Sequence, residues 1–205
     1  MFTGLIAGVG RLASREARGG DARLVIETGS LPFDAVQLGE SIAVNGCCLT
    51  VVEFDAGSFA VDASNETLAL TTLGRLPIGA PLNLERAMLP TDRLGGHLVS
   101  GHVDGLAVAE SRIEDARAVR WRFAAPMALL RYFAHKGSVC VDGVSLTVNA
   151  VDDTSSEGGV FEVALIPHTV AHTAFHALQP GDAVNIEIDL LARYVERLLA
   201  TQDRT

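Results

Sequence analysis

An internal duplication is the feature that most constrains how this chain can fold. The phrase VNGCCLTV (Val44 to Val51) returns as VDGVSLTV (Val141 to Val148), 97 residues later, as positions 44 and 141 show. FTGLIAGVG near the start matches VSGHVDGLA, which begins at Val99, at the same offset. After an insertion around DDTSSEGG, ETLALTTLGRLPIGAPLNLE matches HTVAHTAFHALQPGDAVNIE, so both copies end in an Asn-apolar-Glu tripeptide. A match of this length and order predicts two copies of one fold.

Each copy is predicted to consist mostly of short strands. The stretches RLVIET, SIAVNG, CLTVVEF, SFAVDA and PLNLER are rich in β-branched residues and are separated by Gly, Asn and Asp. Short helices are expected at NETLALTTL and PHTVAHTAF, with a further one at PMALLRYFAHK in the second copy. Five or six strands with little helix predict an all-β fold, either a closed barrel or a sandwich.

The last segment of the chain follows a different pattern. LLARYVERLLATQ carries an apolar stripe at helical spacing, formed by Leu190, Leu191, Tyr194, Val195, Leu198 and Leu199. The first copy is followed instead by AMLPTDRLGG, whose Pro and Gly are typical of a linker. Because so short a helix is marginal alone, we expect the tail to pack on a barrel or on its counterpart in another subunit.

Composition excludes several classes of function. The net charge of −9, with no stripe of Lys and Arg, argues against nucleic-acid binding. No segment reaches the ~20 apolar residues of a membrane span, and the N-terminus lacks a basic leader, so no membrane association is expected. The chain has three cysteines, Cys47, Cys48 and Cys140. An odd number, with two of them adjacent, favours reduced thiols over disulfides. These features together predict a cytoplasmic protein.

Five motifs, taken in order, resemble those of the riboflavin synthase family, which carries the lumazine-binding repeat. They are MFTGLI, SIAVNGCCLTV, GGHLVSGHVDG, KGSVCVDGVSLTV and IPHT, and they extend over nearly the whole chain. The resemblance implies two similar six-stranded Greek-key β-barrels, at residues 1–97 and 98–187, and a C-terminal trimerisation helix at 188–205. It also implies a homotrimer, with each active site between the N-terminal barrel of one subunit and the C-terminal barrel of a neighbour.

The reaction implied by the resemblance is the dismutation of two molecules of 6,7-dimethyl-8-ribityllumazine. A four-carbon unit passes from one to the other, which yields riboflavin and 5-amino-6-(D-ribitylamino)uracil in the last step of riboflavin biosynthesis. No metal or organic cofactor is implied, and the resemblance leaves open an association with lumazine synthase. A duplicated fold suits two identical substrates, because each copy can hold one and so make the encounter intramolecular.

Site residues are transferred from the family onto matching positions. The chemistry needs side chains with mobile protons, and GGHLVSGHVDG offers two histidines, His97 and His102, of which the resemblance assigns the functional role to His102. The predicted catalytic residues are Cys48, His102, Asp142, Ser145 and Thr147. The predicted substrate-binding residues are Gly4, Leu5, Ile6, Cys48, Leu49, Thr50, Asp62, Ala63, Ser64, Asn65, Glu66, Thr67, Gly101, His102, Val103, Lys136, Ser145, Leu146, Thr147, Ala164, Leu165, Ile166 and Thr169.

Structural alternatives stay open for the residues predicted to be catalytic. Cys48 is also consistent with a small core residue, although Ser145 at the equivalent position argues against this. His102 is equally consistent with a structural histidine, and Asp142, which matches Asn45, with a turn-forming residue before glycine. For the whole chain, the alternatives to an enzyme are a barrel that holds lumazine or flavin without turnover and a structural barrel without a ligand.

Three histidines of the second copy have a spacing that is consistent with a zinc site. His168, His172 and His176 are four residues apart, so a helix would align them on one face. Their counterparts in the first copy are Glu66, Leu70 and Gly74, which do not form a ligand set. We therefore expect no metal.

Overall fold

The protein, described here from a computed structural model over residues 1–153 and 158–202, forms two closed six-stranded barrels followed by a helix. The strands of barrel 1 are β1 (Gly8–Arg18), β2 (Asp21–Glu27), β3 (Ser41–Val44), β4 (Cys47–Phe54), β5 (Ser58–Ala63) and β6 (Pro81–Arg86). Those of barrel 2 are β7 (Gly105–Asp115), β8 (Ala118–Pro126), β9 (Ser138–Val141), β10 (Val144–Asp152), β11 (Gly158–Leu165) and β12 (Ala183–Ile188). The described helices are α1 (Asn65–Leu70), α2 (Met127–Leu130), α3 (Pro167–His172) and α4 (Leu190–Gln202).

The two barrels have the same topology. Barrel 1 closes in the order β1-β2-β5-β4-β3-β6, and barrel 2 closes in the equivalent order β10-β11-β8-β7-β12-β9. The connections from β2 to β3 and from β5 to β6 each cross to a non-adjacent strand, as in a Greek key. Closure leaves no free sheet edge, which confirms the all-β prediction of two barrels with a C-terminal helix.

Most predicted strands lie where the sequence placed them, but β1 was not predicted. Its sequence, GVGRLASREAR, is poor in β-branched residues, and its pairing with β2 and β6 supplies the strand geometry. The helix expected at PMALLRYFAHK is shorter than the pattern indicates, because only Met127–Leu130 is helical. In β1, pairing with the neighbouring strands outweighs a weak strand propensity. In the helix that begins at Met127, the turn that follows Leu130 ends the helix despite the apolar pattern.

Each barrel encloses its own core. In barrel 1, Leu24, Ile26 and Phe59 are fully buried, in keeping with the alternation along β2. In barrel 2 the rings of Trp121, Phe123 and Phe161 stack in sequence, with centroids 6.0 and 5.3 Å apart. Since a fully buried side chain of this size contributes ~1.5–3 kcal/mol, these interiors stabilise each barrel independently.

Two hairpin turns meet back to back where the barrels join. Asn45 and Gly46 have φ values of 44° and 78°, and Asp142 and Gly143 have 45° and 82°, as a two-residue type I′ turn requires. A Cβ on Gly46 would approach the backbone N of Gly143 to 2.7 Å, so glycine is needed for this contact. The seam between the barrels is therefore built on the most similar part of the repeat.

Asparagine side chains link the barrels reciprocally across this seam. Asn83 Nδ2 donates to the carbonyl of Asp142, and Asn185 Nδ2 donates to the carbonyl of Asn45, both at 2.8 Å. Asn83 and Asn185 are each about 1% exposed, so unpaired amides here would be costly. The exchange of equivalent bonds gives the molecule an approximate two-fold axis through the seam.

The helix α4 lies against barrel 2 through polar contacts. Arg193 Nη2 pairs with Asp104 Oδ1 at 2.6 Å, and Glu196 accepts a hydrogen bond from Tyr132 Oη and pairs with Arg131. Leu190 is half-buried, whereas five large apolar side chains of α4 are 55–70% exposed: Leu191, Tyr194, Val195, Leu198 and Leu199. Among the described helices, none is long and apolar enough to cross a bilayer.

Candidate active site

Two short segments cross from one barrel to the other and shape the candidate site. We call residues 2–6, which lead into barrel 1, the first exchanged segment, and residues 99–103, which lead into barrel 2, the second exchanged segment. They pair antiparallel where Phe2 and Val99 exchange backbone hydrogen bonds of 2.8 and 3.1 Å. Each segment then lies on the barrel to which it is not directly connected, so each barrel carries part of the other's chain.

On barrel 1, the second exchanged segment lies against the start of β4. Cys48 N donates to the carbonyl of Gly101 at 2.8 Å, and a Cβ on Gly101 would lie 2.6 Å from Cys48 Cβ. Val103 packs against the core of barrel 1. Cys48 and Thr50 share the outward face of β4, since the residues between and beside them point inward. This face is the barrel 1 site.

On barrel 2, the first exchanged segment lies against β10 in the same way. Ser145 N donates to the carbonyl of Gly4 at 2.8 Å, and a Cβ on Gly4 would lie 2.6 Å from Ser145 Cβ. Ile6 packs against the core of barrel 2, and Thr147 is exposed on the face that Ser145 shares. The arrangement defines a barrel 2 site equivalent to the first, with a hydroxyl in place of a thiol.

The barrel 2 site contains a histidine that sequence reasoning passed over. His97 Nδ1 lies 2.7 Å from Ser145 Oγ. Burial lowers the pKa of His97, while the nearby Asp189 acts in the opposite direction. His97 Nε2 is buried and has no hydrogen-bond partner among the described residues. A neutral imidazole in contact with a hydroxyl can accept or donate a proton, so the pair is suited to acid–base chemistry.

Two adjacent glycines in the linker bring His97 to this position. A Cβ on Gly96 would lie 2.0 Å from the carbonyl of Thr3 and 2.9 Å from Ser145 Cβ. Only glycine allows the chain to pass so close to the first exchanged segment. The GG before His97 is therefore the sequence signal that distinguishes it from His102.

His102 is placed differently. Its side chain is exposed, and its backbone N–H donates to Glu187 Oε2 at 3.1 Å. The backbone therefore helps to anchor the second exchanged segment, next to Gly101 and the barrel 1 site.

Asp142 lies at the seam between the barrels. Its Oδ1 accepts from Asn185 N at 2.8 Å, as Asn45 Oδ1 accepts from Asn83 N at 2.7 Å. The carboxyl lines a 320 Å³ cleft together with Asp182, and burial raises its pKa to about 7. Asp142 is three positions before Ser145, in the turn that leads into β10.

The end of β5 and the start of α1 flank the barrel 1 site. Asp62 is paired with Arg23, whose Nε lies 2.6 Å from Asp62 Oδ1, and this bond lowers the pKa of Asp62. Ser64 caps α1 by accepting from Thr67 N at 3.2 Å. The side chains of Asp62 and Ser64 are thus hydrogen-bonded within the protein. Both residues are nevertheless exposed to solvent.

Exposure separates the remaining predicted binding residues. Those that are exposed or half-buried are Leu5, Ile6, Thr50, Asn65, Glu66, Thr67, Val103, Lys136, Leu146, Thr147, Ala164, Ile166 and Thr169. The side chains of Leu49, Ala63 and Leu165 belong to the barrel cores, so they can present only backbone atoms to a ligand. Lys136 has the same backbone geometry as Gly39, its counterpart in the first copy. Both residues have a positive φ, and each donates its backbone N–H to a carbonyl of the adjacent strand, which is β10 for Lys136 and β4 for Gly39.

The three thiols differ in accessibility. All are free, with Cys47 and Cys140 buried and Cys48 half-buried. Burial raises the pKa of Cys47 to about 12 and that of Cys140 well above its ordinary value. Cys48 is therefore the thiol that a reagent or ligand can reach.

The predicted histidine row forms no metal centre within the described residues. No group of three or more His, Cys, Asp or Glu side chains in residues 1–153 and 158–202 is arranged to hold a metal ion. The rings of His168 and His172 stack at 4.0 Å, and His176 Nδ1 lies 2.7 Å from the carbonyl of Thr173.

Comparison with known proteins accounts for the duplicated site. The lumazine binding domain model matches residues 3–87 and again residues 100–189. Over 97% of this chain and 89% of the relative, the sequence is 45% identical to riboflavin synthase from Photobacterium phosphoreum. It is 41% identical to riboflavin synthase from Bacillus subtilis, over 100% of this chain and 94% of the relative. The chain belongs to the riboflavin synthase family.

Solved structures share the fold of this chain. The chain superimposes on LumP in complex with 6,7-dimethyl-8-(1'-D-ribityl)lumazine with a TM-score of 0.80, at 22% identity, covering 92% of this chain and 99% of that one. LumP in complex with riboflavin matches with a TM-score of 0.80 at 23% identity, with the same coverage. At this identity the likeness concerns the fold.

Proposed function

We propose that this protein is a riboflavin synthase, which dismutates two molecules of 6,7-dimethyl-8-ribityllumazine into riboflavin and 5-amino-6-(D-ribitylamino)uracil. The observation that carries the proposal is the pair of equivalent sites in one chain, each made of a strand face and a glycine turn from the other barrel. Two alike sites suit two identical substrates. The flat ring can approach the backbone closely at Gly4 and Gly101, where no side chain intervenes.

His97 and Ser145 supply proton transfer in the barrel 2 site. The lumazine must lose a proton from its 7-methyl group to become a carbon nucleophile, and later intermediates must exchange further protons. Because its pKa is lowered, His97 is neutral at pH 7 and can accept a proton from Ser145 Oγ or return one to it. Ser145 then relays the proton to or from the ligand on its strand face.

Cys48 makes the barrel 1 site chemically different from the barrel 2 site. The thiol takes the position of Ser145, while the adjacent turn has the same geometry in both sites. The imidazole that contacts Ser145 comes from the linker between the two copies. This inequality is the means by which two identical substrates take the unequal roles of donor and acceptor.

A homotrimer is supported by the exposed surface of α4. Five large apolar side chains on a single helix of a folded protein mark an assembly surface rather than a solvated one. The two sites also lie on outward strand faces, with Thr50 and Thr147 exposed, so a neighbouring subunit can close them. A cytoplasmic location and an association with lumazine synthase remain predictions from sequence and resemblance.

Incubation of the purified protein with 6,7-dimethyl-8-ribityllumazine tests the enzyme directly. Riboflavin absorbance and fluorescence should rise while the lumazine is consumed, in a ratio of two substrates to one riboflavin. A protein that binds the lumazine tightly and forms no riboflavin is instead a carrier of the bound chromophore. The identity to named riboflavin synthases, roughly twice that to LumP, favours the first outcome.

A further inference from the structure

Two buried glutamates hold the exchanged segments in place. Glu85 and Glu187 are the penultimate residues of β6 and β12, and each is the last residue of an Asn-apolar-Glu tripeptide. They are 6% and 3% exposed, and neither forms a salt bridge within the described part of the chain. Burial raises the pKa of both carboxyl groups, although their hydrogen bonds act in the opposite direction.

Each carboxylate is surrounded by hydrogen-bond donors from one exchanged segment. Glu85 Oε1 accepts from Thr3 N and from Thr3 Oγ1, both at 2.7 Å, and its Oε2 accepts from Gly4 N at 3.0 Å. Glu187 Oε1 accepts from Ser100 N at 2.7 Å and from Ser100 Oγ at 2.6 Å. Its Oε2 accepts from Gly101 N at 2.9 Å, in addition to the bond from His102 N.

The anchored residues are the ones that touch the two sites. The carbonyl of Gly4, whose N–H is held by Glu85 of barrel 1, accepts from Ser145 N in barrel 2. The carbonyl of Gly101, whose N–H is held by Glu187 of barrel 2, accepts from Cys48 N in barrel 1. Each site therefore depends on a carboxylate of the opposite barrel.

We propose that Glu85 and Glu187 are positioning residues that act crosswise, Glu85 setting the geometry of the barrel 2 site and Glu187 that of the barrel 1 site. The role in substrate binding rests on the proposed function, because it requires that both sites hold a lumazine. The effect on local geometry does not depend on it. A tether of this kind also links the two sites, since movement of either barrel's last strand shifts the glycine turn over the other barrel's ligand.

A carboxylate is required because every group that is hydrogen-bonded to Glu85 or Glu187 is a donor. Both oxygens of Glu187 accept, whereas glutamine would offer one oxygen and turn an NH2 group toward backbone N–H groups. Hydrogen bonds to a charged group are also stronger than neutral ones. Glu→Gln is therefore a nearly isosteric change that should loosen one exchanged segment, and Glu→Asp keeps the acceptors but shortens their reach.

Alkylation of thiols in the two sites provides the test. The half-buried Cys48 reports on the barrel 1 site, and the thiol introduced by Ser145→Cys reports on the barrel 2 site. Iodoacetamide labelling of the unliganded, full-length protein is followed by peptide mass spectrometry. We expect Glu187→Gln to raise the labelling rate at position 48 by about ten-fold and leave position 145 unchanged, and Glu85→Gln to do the reverse.

The exposed Glu27 of β2 offers a matched control, and Glu27→Gln should change neither rate. If either Glu→Gln protein fails to fold, the corresponding Glu→Asp protein is labelled in its place, with the same crosswise pattern expected. Equal acceleration of both positions by each variant, acceleration in the glutamate's own barrel, or no change at either position overturns the proposal.

A binding measurement then connects geometry to function. The probe is an 8-ribityllumazine that lacks the 7-methyl group, so that it cannot form the carbanion. Calorimetry should resolve two sites per chain, with a single one weakened about ten-fold in each variant. Crosswise labelling without lumazine binding overturns the proposed function alone, and lumazine turnover with unaltered labelling overturns the positioning role alone.

Discussion

Replacing Asp142 with asparagine is expected to stabilise the protein above neutral pH. The repeat provides the precedent, because Asn45 holds the equivalent turn and its Oδ1 accepts the equivalent backbone hydrogen bond. Asp142→Asn keeps that acceptor and removes a carboxylate whose charge is poorly solvated at the seam. The change therefore tests whether Asp142 is a turn residue or takes part in catalysis.

The magnitude follows from the raised pKa of Asp142. A rise from 3.8 to about 7 corresponds to about 4 kcal/mol, at ~1.4 kcal/mol per pH unit between the two values. The carboxyl is partly exposed through the cleft, so water screens a share of this cost and we expect a gain of about 2–4 kcal/mol. Asp182, which lines the same cleft, adds to the repulsion.

The sign depends on pH. Because the folded state binds this proton more tightly than the unfolded state, the wild-type protein loses stability as the pH rises from about 4 to about 7. The variant lacks this loss. Its advantage should be absent near pH 4, reach its full value by pH 8, and change little at higher pH.

Urea unfolding from pH 5 to pH 8 measures the effect, at one protein concentration because the proposed homotrimer would make stability depend on concentration. Trp121, the single tryptophan, is 1% exposed in the core of barrel 2 and reports unfolding by its fluorescence. Asp182→Asn is the control and should give a smaller gain. The same pH dependence in wild type and Asp142→Asn would refute the reasoning, and a loss of turnover without a loss of stability would assign Asp142 to catalysis.

Three further predictions concern catalysis and assembly. His97→Gln should lower kcat by ~10²–10⁴ with a smaller change in KM. The kcat of the wild-type protein should fall when the pH drops below the lowered pKa of His97. A variant with a raised KM and an unchanged kcat in steady-state assays would contradict a proton-transfer role. The substitutions Cys48→Ser and Ser145→Cys should lower riboflavin formation while binding of the lumazine that lacks the 7-methyl group persists. Unchanged turnover would mean that other residues make the two sites different. Deleting residues 190–205 should convert a trimer to monomers in light scattering, and an unchanged mass removes α4 from assembly.

The residue pattern alone predicts a duplicated chain that is rich in strands, but it does not choose between a barrel and a sandwich. The repeat predicted two copies of one fold, and β3 to β6 follow stretches whose residues favour strands whichever neighbour they pair with. The amphipathic tail predicted α4 because helical spacing is a local property. The matching sequences CLTV and SLTV place Cys48 and Ser145 at equivalent positions, because the alignment of two copies depends only on local sequence.

Only the tertiary structure decided which parts of the chain meet at each site. The segments around Gly4 and Gly101 are themselves copies of one another, so either could lie on its own barrel without any change in local pattern. The crossing is decided by contacts remote in sequence: Ser145 N donates to the carbonyl of Gly4, Cys48 N donates to the carbonyl of Gly101, and each glycine approaches the opposite barrel's strand closely. His97 reaches Ser145 across 48 residues through this same crossing, which no spacing in the sequence encodes.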